Sequence, residues 1–99
     1  MTTTKERQQD GHVKFALGRV VITAHADSVL NPQEVQSALV RHAIGDWGDV
    51  CQEDRLANER GLKEQDRLFS VYHAANSREF WIITEWDRSV TTIQLPDDY

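Results

Sequence analysis

Three segments near the end of the chain decide its fold: Arg67-Leu68-Phe69-Ser70-Val71-Tyr72-His73, Arg78-Glu79-Phe80-Trp81-Ile82-Ile83-Thr84-Glu85-Trp86 and Ser89-Val90-Thr91-Thr92-Ile93-Gln94-Leu95. Each is rich in β-branched and aromatic residues and is bounded by polar breakers, the pattern of a strand. The connections, Ala74-Ala75-Asn76-Ser77 and Asp87-Arg88, are short enough only for tight turns. The three strands therefore form an antiparallel meander. Pro96 cannot donate to a ladder and stops the third strand, which leaves Asp97-Asp98-Tyr99 as an acidic tail.

Turn length sets strand register, and register sets which side chains share a face. A two-residue turn at Asp87-Arg88 places Glu85 opposite Val90, Thr84 opposite Thr91 and Ile82 opposite Ile93. A four-residue turn at 74–77 places Val71 opposite Phe80 and Phe69 opposite Ile82. One face then gathers Phe69, Val71, Phe80, Ile82, Ile93 and Leu95, with the Thr84/Thr91 pair at its end, and is the expected core. The other gathers Leu68, Ser70, Tyr72, Trp81, Ile83, Glu85, Val90, Thr92 and Gln94. Its mixture of aromatic, apolar and polar groups suits a binding surface, so Ser70, Tyr72, Trp81, Ile83, Glu85 and Thr92 are the candidate binding residues. A second copy of the chain or its own N-terminal tail could equally cover that face.

Before the meander, Phe15 to Thr23 reads as a strand. Its continuous Val20-Val21-Ile22 run predicts burial on both faces, and Gly18 marks a bulge or a close approach. Asn31-Pro32 with Glu34 is a helix start. Val35, Ala38, Leu39, His42 and Ala43 then keep helical spacing up to Gly45, which is placed to end the helix. Asp49 followed by Gln52 resembles a capping box and starts a second helix. The apolar face of that helix is thin, made of Val50, Leu56, Ala57 and Leu62. The expected architecture is α+β, in the order β-α-α-β-β-β, an antiparallel sheet with two helices packed on one face. Residues 1–12 are a flexible polar tail and 13–99 a single α+β domain, since 99 residues suffice for one core.

Sixteen acidic against eleven basic residues give a formal charge of −5. A chain that works by neutralising phosphates normally carries the opposite sign, so nucleic acid is a poor partner and a basic protein a better one, while the plainer reading of the acidic balance is solubility. No apolar run approaches the ~18 residues of a membrane span, the first ten residues lack the apolar stretch of a secretory signal, and Cys51 is the only cysteine. The cytoplasm is the expected compartment. No cofactor motif is present, and neither a calcium-loop spacing nor a zinc ligand pair accompanies the acidic Asp46-Trp47-Gly48-Asp49 stretch.

His42 lies on the apolar side of the first helix near its C-terminal end, where the helix dipole favours the charged imidazole. Asp46 and Asp49 follow closely and could hold it as a general base. The plainer alternative is a structural histidine tied to a carboxylate. Arg88 at the hairpin tip could clamp a phosphate or carboxylate. Arg67 could join it, and His42, Arg67 and Arg88 are the candidate catalytic residues. A solvated turn with local Asp–Arg pairing is the competing explanation for the tip.

Three stretches carry a resemblance: Phe15-Ala16-Leu17-Gly18-Arg19-Val20-Val21, Arg41-His42-Ala43-Ile44-Gly45-Asp46-Trp47-Gly48-Asp49, and Trp81-Ile82-Ile83-Thr84-Glu85 through Asp87-Arg88-Ser89-Val90-Thr91-Thr92 to Pro96. Together they resemble a family of small, largely uncharacterised bacterial proteins found on plasmids and other mobile elements. Relatives tend to carry Pro-Gly where this chain has Ala24-His25, and Leu where it has Gln94. The resemblance implies a genomic setting and no reaction. The element order is also similar to that of ribonuclease toxins of the RelE/ParE type, which are generally basic; fold analogy of that kind carries no function by itself.

The expectation is therefore a non-enzymatic accessory protein of a bacterial mobile element that binds a protein partner, or pairs with itself as a homodimer. Interference with a host defence complex is one form this could take. The alternative is a small metal-independent ribonuclease-like or phosphate-handling enzyme using His42, Arg67 and Arg88.

Overall fold

Strand-forming residues cluster in four places, and in the computed structural model, which describes residues 12–99, they pair as one sheet. The strands are β1 (Arg19–Ile22), β2 (Leu68–His73), β3 (Glu79–Thr84) and β4 (Val90–Gln94), in the spatial order β1-β4-β3-β2. Three α-helices intervene: α1 (Ala24–Val29), α2 (Pro32–Ala43) and α3 (Gln52–Glu64). The class is α+β. β2, β3 and β4 form the antiparallel meander, while β1 lies parallel to β4 and makes the sheet mixed. All but His12 of the tail expected at 1–12 lies outside the described residues.

Local chemistry accounts for the helices. Asn31 caps α2, its side chain accepting from the Gln33 amide at 2.8 Å, with Pro32 in the first position. α1 was not foreseen: the Thr23 hydroxyl caps it by accepting from Ala26 N, and Ala26 is fully buried. α3 starts later than the capping-box pattern suggests. Cys51 is its cap and makes no side-chain bond, while the Asp49 carboxylate is held by His73 Nδ1 at 2.9 Å. The residues α3 buries are Asn58 and Gly61, while Leu56, expected on its apolar side, is exposed.

Between β3 and β4 the expected register is observed: Thr84 faces Thr91 and Ile82 faces Ile93. The β2–β3 register differs by one residue. Phe69 faces Ile83 and Tyr72 faces Phe80, because the connection is a three-residue loop. Ser77 N–H closes a turn onto Ala74 O, Ala74 N–H pairs with Arg78 O, and Ser77 sits at φ +70°. This is a turn followed by one left-handed residue, a common hairpin form. Shifting the register by one turns every side chain of β2 over. Leu68, Ser70 and Tyr72 therefore lie on the α1 and α2 side of the sheet, and Phe69 and Val71 on the opposite side. The expected placement of Tyr72 and Ser70 on the outer face is corrected accordingly.

The main core joins α1 and α2 to the inner sheet face through Ala26, Leu30, Ala38, Tyr72, Phe80, Ile82, Ile93 and Leu95. A second cluster, Trp47, Val50, Leu68 and Val71, wraps around the β2 edge. That edge is closed by main-chain and side-chain bonds. Val71 N–H donates to Trp47 O at 3.1 Å, and Asp49 N–H donates to Val71 O at 2.8 Å. Asn58 accepts from Phe69 N–H at 3.0 Å and donates to Phe69 O at 2.7 Å. Gly48 makes the close approach feasible: it sits at φ +75°, and a Cβ there would collide with Val71 O. β1 departs from its expected burial. It pairs with β4 alone among the described residues, and Val20 is 43% exposed, so its β-branched run belongs to a sheet edge.

Candidate functional site

His42 is fully buried beneath the sheet. Its Nδ1 lies 2.6 Å from Ser70 Oγ and its Nε2 2.9 Å from Thr84 Oγ1. Thr84 Oγ1 is 2.7 Å from Thr91 Oγ1, and Thr91 Oγ1 donates to Leu17 O at 2.6 Å. One proton per hydroxyl fixes the direction of the chain from Leu17 O as far as His42 Nε2. Thr91 spends its proton on Leu17 O, so Thr84 must donate to Thr91 and accept from His42 Nε2–H. Burial keeps the ring neutral, so His42 Nδ1 carries the lone pair and accepts from Ser70. The imidazole is neutral, in the Nε2–H tautomer. Phe15 and Trp47 meet its ring edge-on at 5.2 and 5.7 Å.

Burial, with a smaller contribution from the nearby Arg88 charge, pushes the His42 pKa down to about 3. The helix dipole, which favours the cation, is outweighed. Neither carboxylate expected to hold His42 does so. Asp46 forms a two-pronged pair with Arg41 at 2.8 and 3.2 Å, which holds its carboxyl below the usual range. Asp49 pairs with His73.

The other catalytic candidates do not join His42. The Arg88 guanidinium donates to four carbonyls, those of Asp66 (2.6 Å), Gly61 (3.0 Å), Glu85 (3.2 Å) and Trp86 (3.3 Å), and so ties the hairpin tip to the end of α3. Asp87 is taken by the Ser89 amide and hydroxyl instead of by Arg88. Arg67 stands on the opposite side of the sheet, 3.8 Å from the Glu85 carboxylate. The distinctive Gly45-Asp46-Trp47-Gly48 and Glu85-x-Asp87-Arg88-Ser89 motifs thus serve folding: the first closes the β2 edge and the second fastens the tip.

The outer sheet face is different. Trp81, Ile83, Glu85 and Thr92, of the expected binding residues, share it, while Ser70 and Tyr72 are sealed on the inner side. Tyr72 donates its hydroxyl to Asp46 O at 2.6 Å, and burial raises its pKa to about 12. A groove of about 320 Å³ runs between the outer face and α3. Ile83 lies in it, 3% exposed. Phe69 and Trp81 meet at 5.1 Å and 83°, and Trp81 meets Tyr99 at 5.8 Å and 65°. Arg67 lies over the Tyr99 ring at 5.6 Å and donates to its hydroxyl at 3.2 Å. Asp54, Ala57 and Asn58 of α3 form the other wall.

Phe69, Tyr99 and Asp54 were not anticipated there. Phe69 required the correct β2 register. Tyr99 required knowing that Pro96–Asp98 forms a 3-10 turn, pinned by Asp98 to Thr23 Oγ1 (2.7 Å) and Leu95 N (3.1 Å), which brings the last ring back onto Trp81. No local pattern announces Asp54. Among the described residues no three His, Cys, Asp or Glu side chains gather as metal ligands would, and no helix is long and apolar enough to cross a membrane. Against known proteins, no family, no curated protein and no solved structure matches the chain.

Proposed function

We propose that this protein is a non-enzymatic accessory factor that works by binding a protein partner through the outer face of its sheet. The Gly-Asp-Trp-Gly and Thr-Glu-x-Asp-Arg-Ser resemblance supports a setting in a bacterial mobile element, where a host or defence complex with a basic surface is a suitable partner. The observation that carries the proposal is the groove built by Phe69, Trp81 and Tyr99 over Ile83. Helices α1 and α2 pack on the other side of the sheet, and among the described residues α3 and the Tyr99 ring flank the groove without filling it. Tryptophan, tyrosine and arginine at the centre of a partly desolvated surface are the residue types that dominate binding energy in protein interfaces. The phosphate-handling alternative draws no support from this geometry, since its base is sealed in the core with both nitrogens engaged.

Photo-crosslinking in the cells that produce the protein tests the proposal. p-Benzoylphenylalanine in place of Thr92, on the outer face, is expected to capture one defined protein. The same group in place of Val40, exposed on α2, should not. Capture of nothing, or equal capture from both positions, would count against it.

A further inference from the structure

Resting on that reading of the outer face, we infer that the groove takes a cationic side chain, a lysine or arginine presented by the partner. The rings are set steeply to one another, at 83° and 65°, so they form a concave corner in place of a closed stack. Ring faces carry the negative lobe of the aromatic quadrupole, and a cation within about 6 Å of a ring centroid is attracted to it. One end of the groove already demonstrates this chemistry. Arg67 sits over Tyr99 with Glu85 as its counter-ion.

Among the described residues, none places a cation at the other end. Asp54 lines the groove half-buried, and among the described residues its carboxylate takes part in no hydrogen bond or ion pair. Glu79 accepts from the Trp81 indole N–H at 2.8 Å, which makes the ring richer in electrons. Asp54 is thus the carboxylate in the groove without a cation among the described residues, with Glu79 behind the Trp81 ring and Glu85 already paired with Arg67. A phosphate or an acidic peptide would be repelled there. A basic side chain would find π-faces along its stem and Asp54 at its head, with the net charge of −5 favouring its approach.

Titration of the full ¹⁵N-labelled chain, followed by nuclear magnetic resonance, tests this with Nα-acetyl-arginine methylamide, Nα-acetyl-lysine methylamide and the neutral arginine isostere Nα-acetyl-citrulline methylamide. The two cations should shift the Trp81 indole and the Asp54 and Phe69 amides saturably, with affinities on the order of 1–10 mM, and the citrulline compound should not. Asp54→Asn should weaken cation binding about three- to five-fold. Trp81→Leu, checked for retained spectral dispersion, should remove it. Shifts spread evenly over the acidic surface, or none in the groove, would overturn the inference. Citrulline binding as well as arginine would also overturn it, while leaving the groove as a binding surface. Failure of the crosslinking at Thr92 would instead bring down the proposal on which it rests.

Discussion

Lowering the pH from 7.5 to 5 should cost this protein a definite share of its stability through His42 alone. The folded chain holds His42 neutral, with its pKa lowered to about 3 from 6.5. The unfolded chain therefore takes up the proton first. The stabilisation is whole above about pH 6.5 and is lost progressively as pH falls toward 3. Integrating over that interval gives a loss of about 2 kcal/mol between pH 7.5 and 5, and roughly 3 kcal/mol by pH 4. Such a loss is a large fraction of the 5–15 kcal/mol typical of a domain. Asp46, Asp87 and Asp98 also have lowered pKa values, but their contributions fade only below about pH 4. Since His25 and His73 also stand against carboxylates, it is the comparison with a variant lacking His42 that isolates its imidazole. Protonation would also place a hydrogen on Nδ1, facing the Ser70 hydroxyl that now donates to it, and Ser70 would have to turn its proton away. Urea unfolding across this range, compared with His42→Gln, is the assay. Wild type should lose stability with falling pH, and the variant, less stable at pH 7.5, should show a much flatter profile. A flat wild-type profile, or an equal slope in both proteins, would refute the burial and hydrogen-bond assignment.

Four further outcomes follow from the β2 edge and the hairpin tip. Asn58→Ala leaves the Phe69 amide and carbonyl without their partner and should cost about 1–3 kcal/mol, read by chemical denaturation, with faster hydrogen exchange at Phe69. Gly48→Ala should destabilise by about 2 kcal/mol or more, because φ +75° and the Val71 carbonyl leave no room for a methyl group; thermal unfolding measures it. Arg88→Lys keeps the charge but cannot span four carbonyls, so a loss of about 1–3 kcal/mol is expected, whereas Trp86→Ser, at a residue 62% exposed, should change stability by less than about 0.5 kcal/mol.

How far the sequence reveals this fold depends on where local chemistry is specific. Asn31-Pro32 and the spacing from Val35 to Ala43 announce α2, and the Thr84/Thr91 and Ile82/Ile93 pairings follow from the hairpin tip. The tip itself is longer than a two-residue turn: Arg88 N–H closes onto Glu85 O, and Glu85 N–H pairs with Val90 O. The register is the same because the loop is lengthened equally on both sides. At 74–77 the symmetry fails. Ser77 takes a left-handed conformation that serine seldom adopts, and nothing in Ala-Ala-Asn-Ser signals it. That single residue decides whether Tyr72 or Phe69 lines the outer face. His42 was legible as an unusual residue, but its role was not, since its partners Ser70 and Thr84 lie 28 and 42 residues away. The edge closure by Asn58 and Gly48 is likewise a long-range pairing with no short-range trace.

In the proposed function, partner binding centres on the outer-face groove. Calorimetric titration of the crosslinked partner against Trp81→Ala and Trp86→Ala compares two tryptophans, one in the groove and one at the exposed tip. Loss of about 2 kcal/mol, roughly thirty-fold in affinity, is predicted for Trp81→Ala, with Trp86→Ala binding like wild type. Undiminished binding by Trp81→Ala, or a loss confined to Trp86→Ala, would contradict it.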